Sequence, residues 1–229
     1  MIGSLLWDDS DVRKSWRSKR LKMEQREHVH APIRYGRKST SRGDTFTMVL
    51  DASTDPGVAV AVPIKQETGD SGGLLDEARA MWAAECKSHP SDKMSADWGC
   101  IGLLVRDPTA HPDLASGWVG AYEQENNVHP VTTSGELPIP WPRFRDSDRP
   151  LPYDFLLATS TVATSDHPTP ADIAAAWTEQ DGGLEEYFFS NVERSIRTAV
   201  DLQILEHIER QRPDWLDRCK TARRTLTAR

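Results

Sequence analysis

Cysteine is scarce in this chain. Its three cysteines, Cys86, Cys100 and Cys219, are odd in number and widely spaced, which excludes a disulfide framework and a Cys-x-x-Cys metal pair. Cys86 and Cys100 sit among apolar neighbours and are expected to be small core residues. Long hydrophobic runs are missing too. Nothing approaches the roughly 20 apolar residues that a bilayer span requires, and no charged stretch precedes an apolar one as in a signal peptide. The chain is therefore expected to be cytoplasmic, with no membrane partner. Positive charge is not in excess: the net charge is −7. Nucleic-acid binding is driven by neutralising phosphates, so no nucleic-acid partner is expected. There is also no Gly-x-Ser-x-Gly elbow around Ser4. His89, His111 and His167 lie in loops without an evident orienting partner, which argues against a serine hydrolase.

What the chain does have is the composition of a globular protein, 28% charged and 38% hydrophobic over 229 residues, enough for one substantial core. Residues 1–211 read as a single domain with a Pro-rich insertion near 126–152. That insertion carries six prolines, which forbid regular structure over most of it. Residues 212–229 read as a basic tail that frays. The basic run from Arg13 to Arg26 alternates with Val12, Trp16 and Leu21. This fits a helix from about Asp11 to Lys22, capped by Ser10, with its charges on a solvated face. A polyanion site on this run is the distant alternative. His28 and His30 would share one face of a strand, yet no third and fourth ligand is evident, so no metal site is assigned.

Strand patterns cover His28–Arg37, Thr45–Leu50, Gly57–Ile64, Trp98–Val105 and Tyr153–Thr164. Helical patterns cover Leu74–Lys87, Asp113–Gln124 and Pro170–Gln180, the last capped by Thr169. Asp181, Gly182 and Gly183 break that pattern. A further helix is expected from Leu184 to about Gln211, because Leu184, Phe188, Val192, Ile196 and Val200 recur at i+4. The early strands follow one another without helical crossovers. That favours α+β, with a mixed or antiparallel sheet against helices, over a doubly wound sheet.

The most informative residue is Glu85. Leu74, Ala78 and Met81 form an apolar stripe at i, i+4 and i+7, and Glu85 continues it at i+11, whereas Asp76, Glu77 and Arg79 point elsewhere. A carboxylate on an apolar stripe is expected to be desolvated and raised in pKa, suited to accept and donate a proton near neutral pH. The alternative is a Glu85 turned to solvent or paired with an arginine at the helix end. At the other end of the chain, Ile2, Gly3, Ser4, Leu5, Leu6 and Trp7 make an apolar start with turn residues inside it. Glycine there permits φ > 0 and close backbone approach to a ligand.

In their order these stretches resemble the gamma-glutamylcyclotransferase-like family, and its ChaC-type branch in particular. Ile2-Gly3-Ser4-Leu5-Leu6-Trp7 is similar to the family's Tyr-Gly-Ser-Leu-Ile-Trp substrate loop, with Ile2 in place of tyrosine. Ser41-Arg42-Gly43 is similar to its His-Arg-Gly turn, with Ser41 in place of histidine. Gly57 to Val60, followed by the helix ending in Glu85, is similar to its Gly-Val-Ala strand and glutamate-bearing helix. Pro168 to Val192, with Glu186-Tyr187-Phe188 and Asn191, is similar to its closing pair of helices.

The resemblance implies a small, mixed, partly closed β-barrel with helices packed around it. It implies that the chain converts a γ-glutamyl amine or peptide, glutathione among the candidates, to 5-oxoproline and the free amine. Glu85 would be the general acid/base, with Ile2, Gly3, Ser4, Leu5 and Tyr187 around the substrate and no metal or cofactor. The alternative within the same fold is an inactive member that serves as a small-molecule binding or interaction module. The sequence does not fix the oligomeric state.

Overall fold

The computed structural model describes residues 1–68, 70–88, 92–125, 130–165, 167–179 and 184–228. A 3-10 turn over Gly3–Leu5 leads into α1 (Asp11–Arg20), then β1 (Glu27–Ala31), β2 (Ile33–Ser39), β3 (Thr45–Leu50) and β4 (Gly57–Ala61). Helix α2 (Ser71–Cys86), β5 (Ser95–Ala96), β6 (Gly99–Val105), α3 (Pro112–Glu125), β7 (Arg143–Phe144) and β8 (Phe155–Thr161) follow. Four helices close the chain: α4 (Pro170–Thr178), α5 (Glu186–Glu193), α6 (Asp201–Gln211) and α7 (Leu216–Thr227). The architecture is α+β. The strands pair antiparallel in three sheets ordered β4-β1-β7, β2-β3 and β5-β6-β8. These ladders do not join into a closed barrel among the described residues.

Local chemistry explains most boundaries. Pro32 has no N–H to donate, and it divides the expected His28–Arg37 strand into β1 and β2, which belong to different sheets. Asp70 caps α2 by accepting the Gly73 N–H at 2.7 Å. Thr169 and Asp172 form a reciprocal capping box at the start of α4, as expected of that threonine. Ser10 precedes α1 but makes no side-chain cap bond.

The expected Leu184–Gln211 helix is two helices. Residues 194–200 leave the helical path with Ser195 at φ 58°, and Arg197 exchanges both backbone hydrogen bonds with Val58, at 2.7 and 3.0 Å. Gly57 makes this possible, because a Cβ there would lie 2.3 Å from the Arg197 carbonyl oxygen. The expected frayed tail is helix α7, with Cys219, Ala222 and Leu226 buried in the core. The Asp181–Gly183 break and His89 lie outside the described residues.

The core has two parts. One joins the inner residues of β1–β4 to α4–α7, with Ile33, Tyr35, Trp177, Phe188 and Ile204 fully buried. The other joins α1, α2, β6 and α3 through Trp16, Ala78, Met81, Ile101 and Trp118. The opening loop lies on the seam: Leu6 is packed in the first part and Leu5 in the second. Met1 lies beside β4, with the Val60 N–H donating to its carbonyl oxygen at 3.0 Å. Cys86 is exposed rather than in the core, and Cys100 is buried. No helix is long and apolar enough to cross a membrane among the described residues.

Candidate active site

Gly3 starts the 3-10 turn at φ +63°, in the left-handed region that side chains disfavour. A Cβ there would also stand 2.6 Å from the Tyr187 hydroxyl. Glycine is thus required twice over, by backbone conformation and by the close approach of Tyr187. The N–H groups of Gly3, Ser4 and Leu5 have no acceptor among the described residues. Helix α5 holds the loop from behind: the Asn191 side chain accepts the Trp7 indole N–H at 3.0 Å and donates to the Tyr187 carbonyl at 2.7 Å.

Arg13 ties this loop to α2. Its guanidinium is buried and donates to the Ser4 hydroxyl at 2.6 Å, to the Ala84 carbonyl at 3.0 Å and to the Glu85 carbonyl at 3.1 Å. It also lies 3.4 Å from Glu85 Oε2 and 3.3 Å from Asp8 Oδ2. One cation thereby donates to two carbonyls of the last turn of α2, where the helix dipole is negative, and holds loop and carboxylate together. Arg17 repeats the device one turn later, donating to the Leu5 and Asp8 carbonyls at 3.0 and 2.8 Å. Arg13 and Arg17 are therefore not on a solvated face; both are buried. Glu77 also departs from expectation, being buried and paired with Arg20 at 2.9 Å.

The Glu85 side chain keeps 19% exposure, and it borders a cavity of about 1160 Å³ together with Ile2, Gly3, Ser4, Leu5 and Tyr187. All the residues expected at the site thus meet at one cavity. Arg37 and Arg42 border it as well. A β-bulge at Gly36, between the Tyr35–Met48 and Arg37–Thr47 pairs, shifts Arg37 off the face that Tyr35 occupies. Its guanidinium stacks 4.7 Å above the Trp98 ring. Arg42 closes a 3-10 turn before the left-handed Gly43 and sits 5.1 Å from the Tyr187 ring centroid.

Burial pushes the Glu85 carboxyl above its ordinary range; Arg13, Arg42 and Arg37 pull it back, and Asp8 adds to the rise. Burial also pushes the Tyr187 hydroxyl up to about 12, so the phenol stays protonated. It accepts the Met48 N–H at 3.1 Å, which leaves its own proton to donate. Against the cost of burial, Lys87 at 2.7 Å and Ser10 hold Asp8 well below the usual carboxylate range. The arrangement is a half-buried carboxyl of raised pKa beside a hydroxyl donor, backbone N–H groups and a cationic wall.

Sequence reasoning missed Arg13, Arg17 and Arg37. A signal was present: Arg13, Trp16, Arg17 and Arg20 recur at i, i+3, i+4 and i+7, so the large apolar residue shares its face with the arginines. Among the described residues, no group of three or more His, Cys, Asp or Glu side chains is placed to hold a metal ion. No family model, curated protein or solved structure matches the chain.

Proposed function

We propose that this chain is a gamma-glutamylcyclotransferase-like enzyme that releases 5-oxoproline and a free amine from a γ-glutamyl amine or peptide. The observation that carries this reading is the buried guanidinium of Arg13, which joins Ser4 of the Gly-Ser loop to Glu85 at the border of one cavity. The three antiparallel sheets with flanking helices are read as an opened form of the partly closed barrel that the resemblance implies.

In this reading the substrate's α-carboxylate meets a wall where Arg13, Arg37, Arg42 and Lys87 outnumber Asp8 and Glu85. The α-nitrogen and the γ-carbonyl belong to one molecule, so folding the glutamyl unit into a ring-closing pose supplies much of the rate. Glu85 takes a proton from the α-ammonium, and the freed amine attacks the γ-carbon. The N–H groups of Gly3 to Leu5 and the Tyr187 hydroxyl are the donors available to the oxygen that becomes negative. The new N–C bond forms, the old C–N bond breaks, and the leaving nitrogen is protonated from Glu85. Both protons given up by the α-ammonium depart with the amine product as its ammonium ion. A raised carboxyl pKa suits a group that must accept and return a proton near neutral pH.

The hydroxyl of Tyr187 against Gly3 supports activity despite Ile2, since it brings a phenol to the loop from another element. The expected result is that Glu85→Gln folds with an unchanged circular dichroism spectrum and loses 5-oxoproline release by at least about 10²-fold. Full activity in that variant would sink the assignment. Thermal stabilisation by γ-glutamyl amides with no turnover in the unaltered protein would favour a binding module instead.

A further inference from the structure

The cavity is larger than a glutamyl unit needs. Pockets that enclose drug-sized ligands run to roughly 300–1,000 Å³, and this one is about 1160 Å³. Asp8, Arg13, Arg37, Arg42 and Lys87 accompany Glu85 along its border, whereas β4 and the residues that follow it, β8 and the Pro-rich stretch contribute mainly apolar side chains. Val62, Ile64, Ile139, Phe155, Leu156 and Leu157 all border it, and all six are only half buried. Four consecutive residues of β8, Phe155 to Ala158, share that state. An antiparallel strand with one face on a core alternates buried and exposed residues; here neither face of β8 is fully closed until Thr159 and Ser160, which are buried. Lys22, Glu67, Glu77 and Asp154 also border the cavity; Glu77 is paired with Arg20 and Asp154 with Arg106.

The Pro-rich stretch builds part of this wall. The Leu103 N–H donates to the Gly135 carbonyl at 3.1 Å and the Leu137 N–H to the Leu103 carbonyl at 2.8 Å, so the stretch is pinned alongside β6. From there Leu137, Ile139, Pro142 and Leu151 reach the cavity. Prolines suit a wall that must be rigid without belonging to a sheet.

We infer that this apolar compartment is a subsite for a bulky apolar group on the leaving amine, so that the preferred substrates are γ-glutamyl amides of large hydrophobic amines. The inference rests on the cyclotransferase reading for the placement of the glutamyl end. The carboxylate of that end needs the arginine-rich wall, and its ammonium and the scissile nitrogen need Glu85, so whatever the nitrogen carries must run away from that pole. Burying each added methylene is worth up to about four-fold in affinity.

The test compares L-γ-glutamyl-methylamide with L-γ-glutamyl-hexylamide, reading both 5-oxoproline release and the Kd by titration calorimetry. The hexylamide is expected to bind at least about tenfold tighter. Filling the compartment, by Ala158→Phe or separately by Ala61→Phe, is expected to bring the ratio near one in whichever variant keeps its melting transition. Equal affinity for the two amides in the unaltered protein overturns the subsite, and release of 5-oxoproline from both would leave the cyclotransferase reading standing. A hexyl preference that survives in both folded filled variants also overturns it, because the chain would then bind elsewhere. A hexyl preference that the filling variants abolish, without 5-oxoproline from either amide, keeps the subsite and removes the enzymatic reading.

Discussion

Glu85 depends on its neighbours for the range over which it can exchange protons. Its pKa is raised by burial and restrained by Arg13, Arg42 and Arg37. The acid limb of the kcat/KM profile should therefore lie above the ordinary glutamate value of about 4.3. Removing a restraining charge favours the neutral carboxyl, so Arg42→Gln should move that limb to higher pH whatever it does to the absolute rate. An unmoved limb would mean that another group controls it. Gly3 offers a second check. Gly3→Ala forces a side chain into left-handed backbone, at roughly 1–2 kcal/mol, and into the Tyr187 hydroxyl. Tyr187→Phe alone should cost about 1–3 kcal/mol, because the buried Met48 N–H loses its acceptor. In urea titrations the double variant should be more stable than the sum of the two losses predicts, since removing the hydroxyl relieves part of the clash. Strict additivity would show that the two residues do not press on each other.

The elements were legible where one local rule governed them and obscure where two competed. The stripe Leu74, Ala78, Met81, Glu85 identified α2 through a single helical period. It left Glu85 open between facing inward and pairing with an arginine, and the structure has it half-buried with Arg13 at 3.4 Å. The same logic failed at Ser195. Leu184, Phe188, Val192, Ile196 and Val200 keep i+4 spacing across a break, and periodicity does not register one left-handed residue. The competing signal was Thr198-x-x-Asp201, a start motif at which the Thr198 N–H donates to Asp201 Oδ2 at 3.1 Å. Charge misled the reading of α1, since arginines at helical spacing look solvated whether they face water or the carbonyls of a neighbouring helix end. It also misled the reading of α7, whose arginines stay at the surface while Cys219, Ala222 and Leu226 pack inward. The packing of α7 has a direct consequence. Leu226 is buried, and the Arg197 guanidinium donates to its carbonyl at 2.8 Å. Leu226→Ala should cost about 2–5 kcal/mol by urea denaturation, against less than about 0.5 kcal/mol for a surface position.

On the scale of the whole molecule, α+β was legible because the order of strands and helices limits the layers that can form. The division into three sheets was not, since it turns on single residues such as Pro32. The α5–α6 break that holds residues 194–200 against β4 also places a carboxyl inside the fold. Asp201 is 1% exposed and accepts hydrogen bonds from the Thr198 N–H and hydroxyl. Burial pushes its pKa up to about 7, against the Thr198 bonds and Arg197, from an ordinary 3.8. The folded state therefore holds a proton that the unfolded chain gives up between those values. That contribution is complete below about pH 4 and is lost as pH rises to about 7, with a slope approaching 1.4 kcal/mol per pH unit. Asp201→Asn carries an amide that stays neutral and can still accept the Thr198 N–H. It should flatten this slope and gain stability relative to the unaltered protein as pH rises from 5 to 8. Parallel stability curves for the two proteins over that range would place the titrating group elsewhere in the molecule.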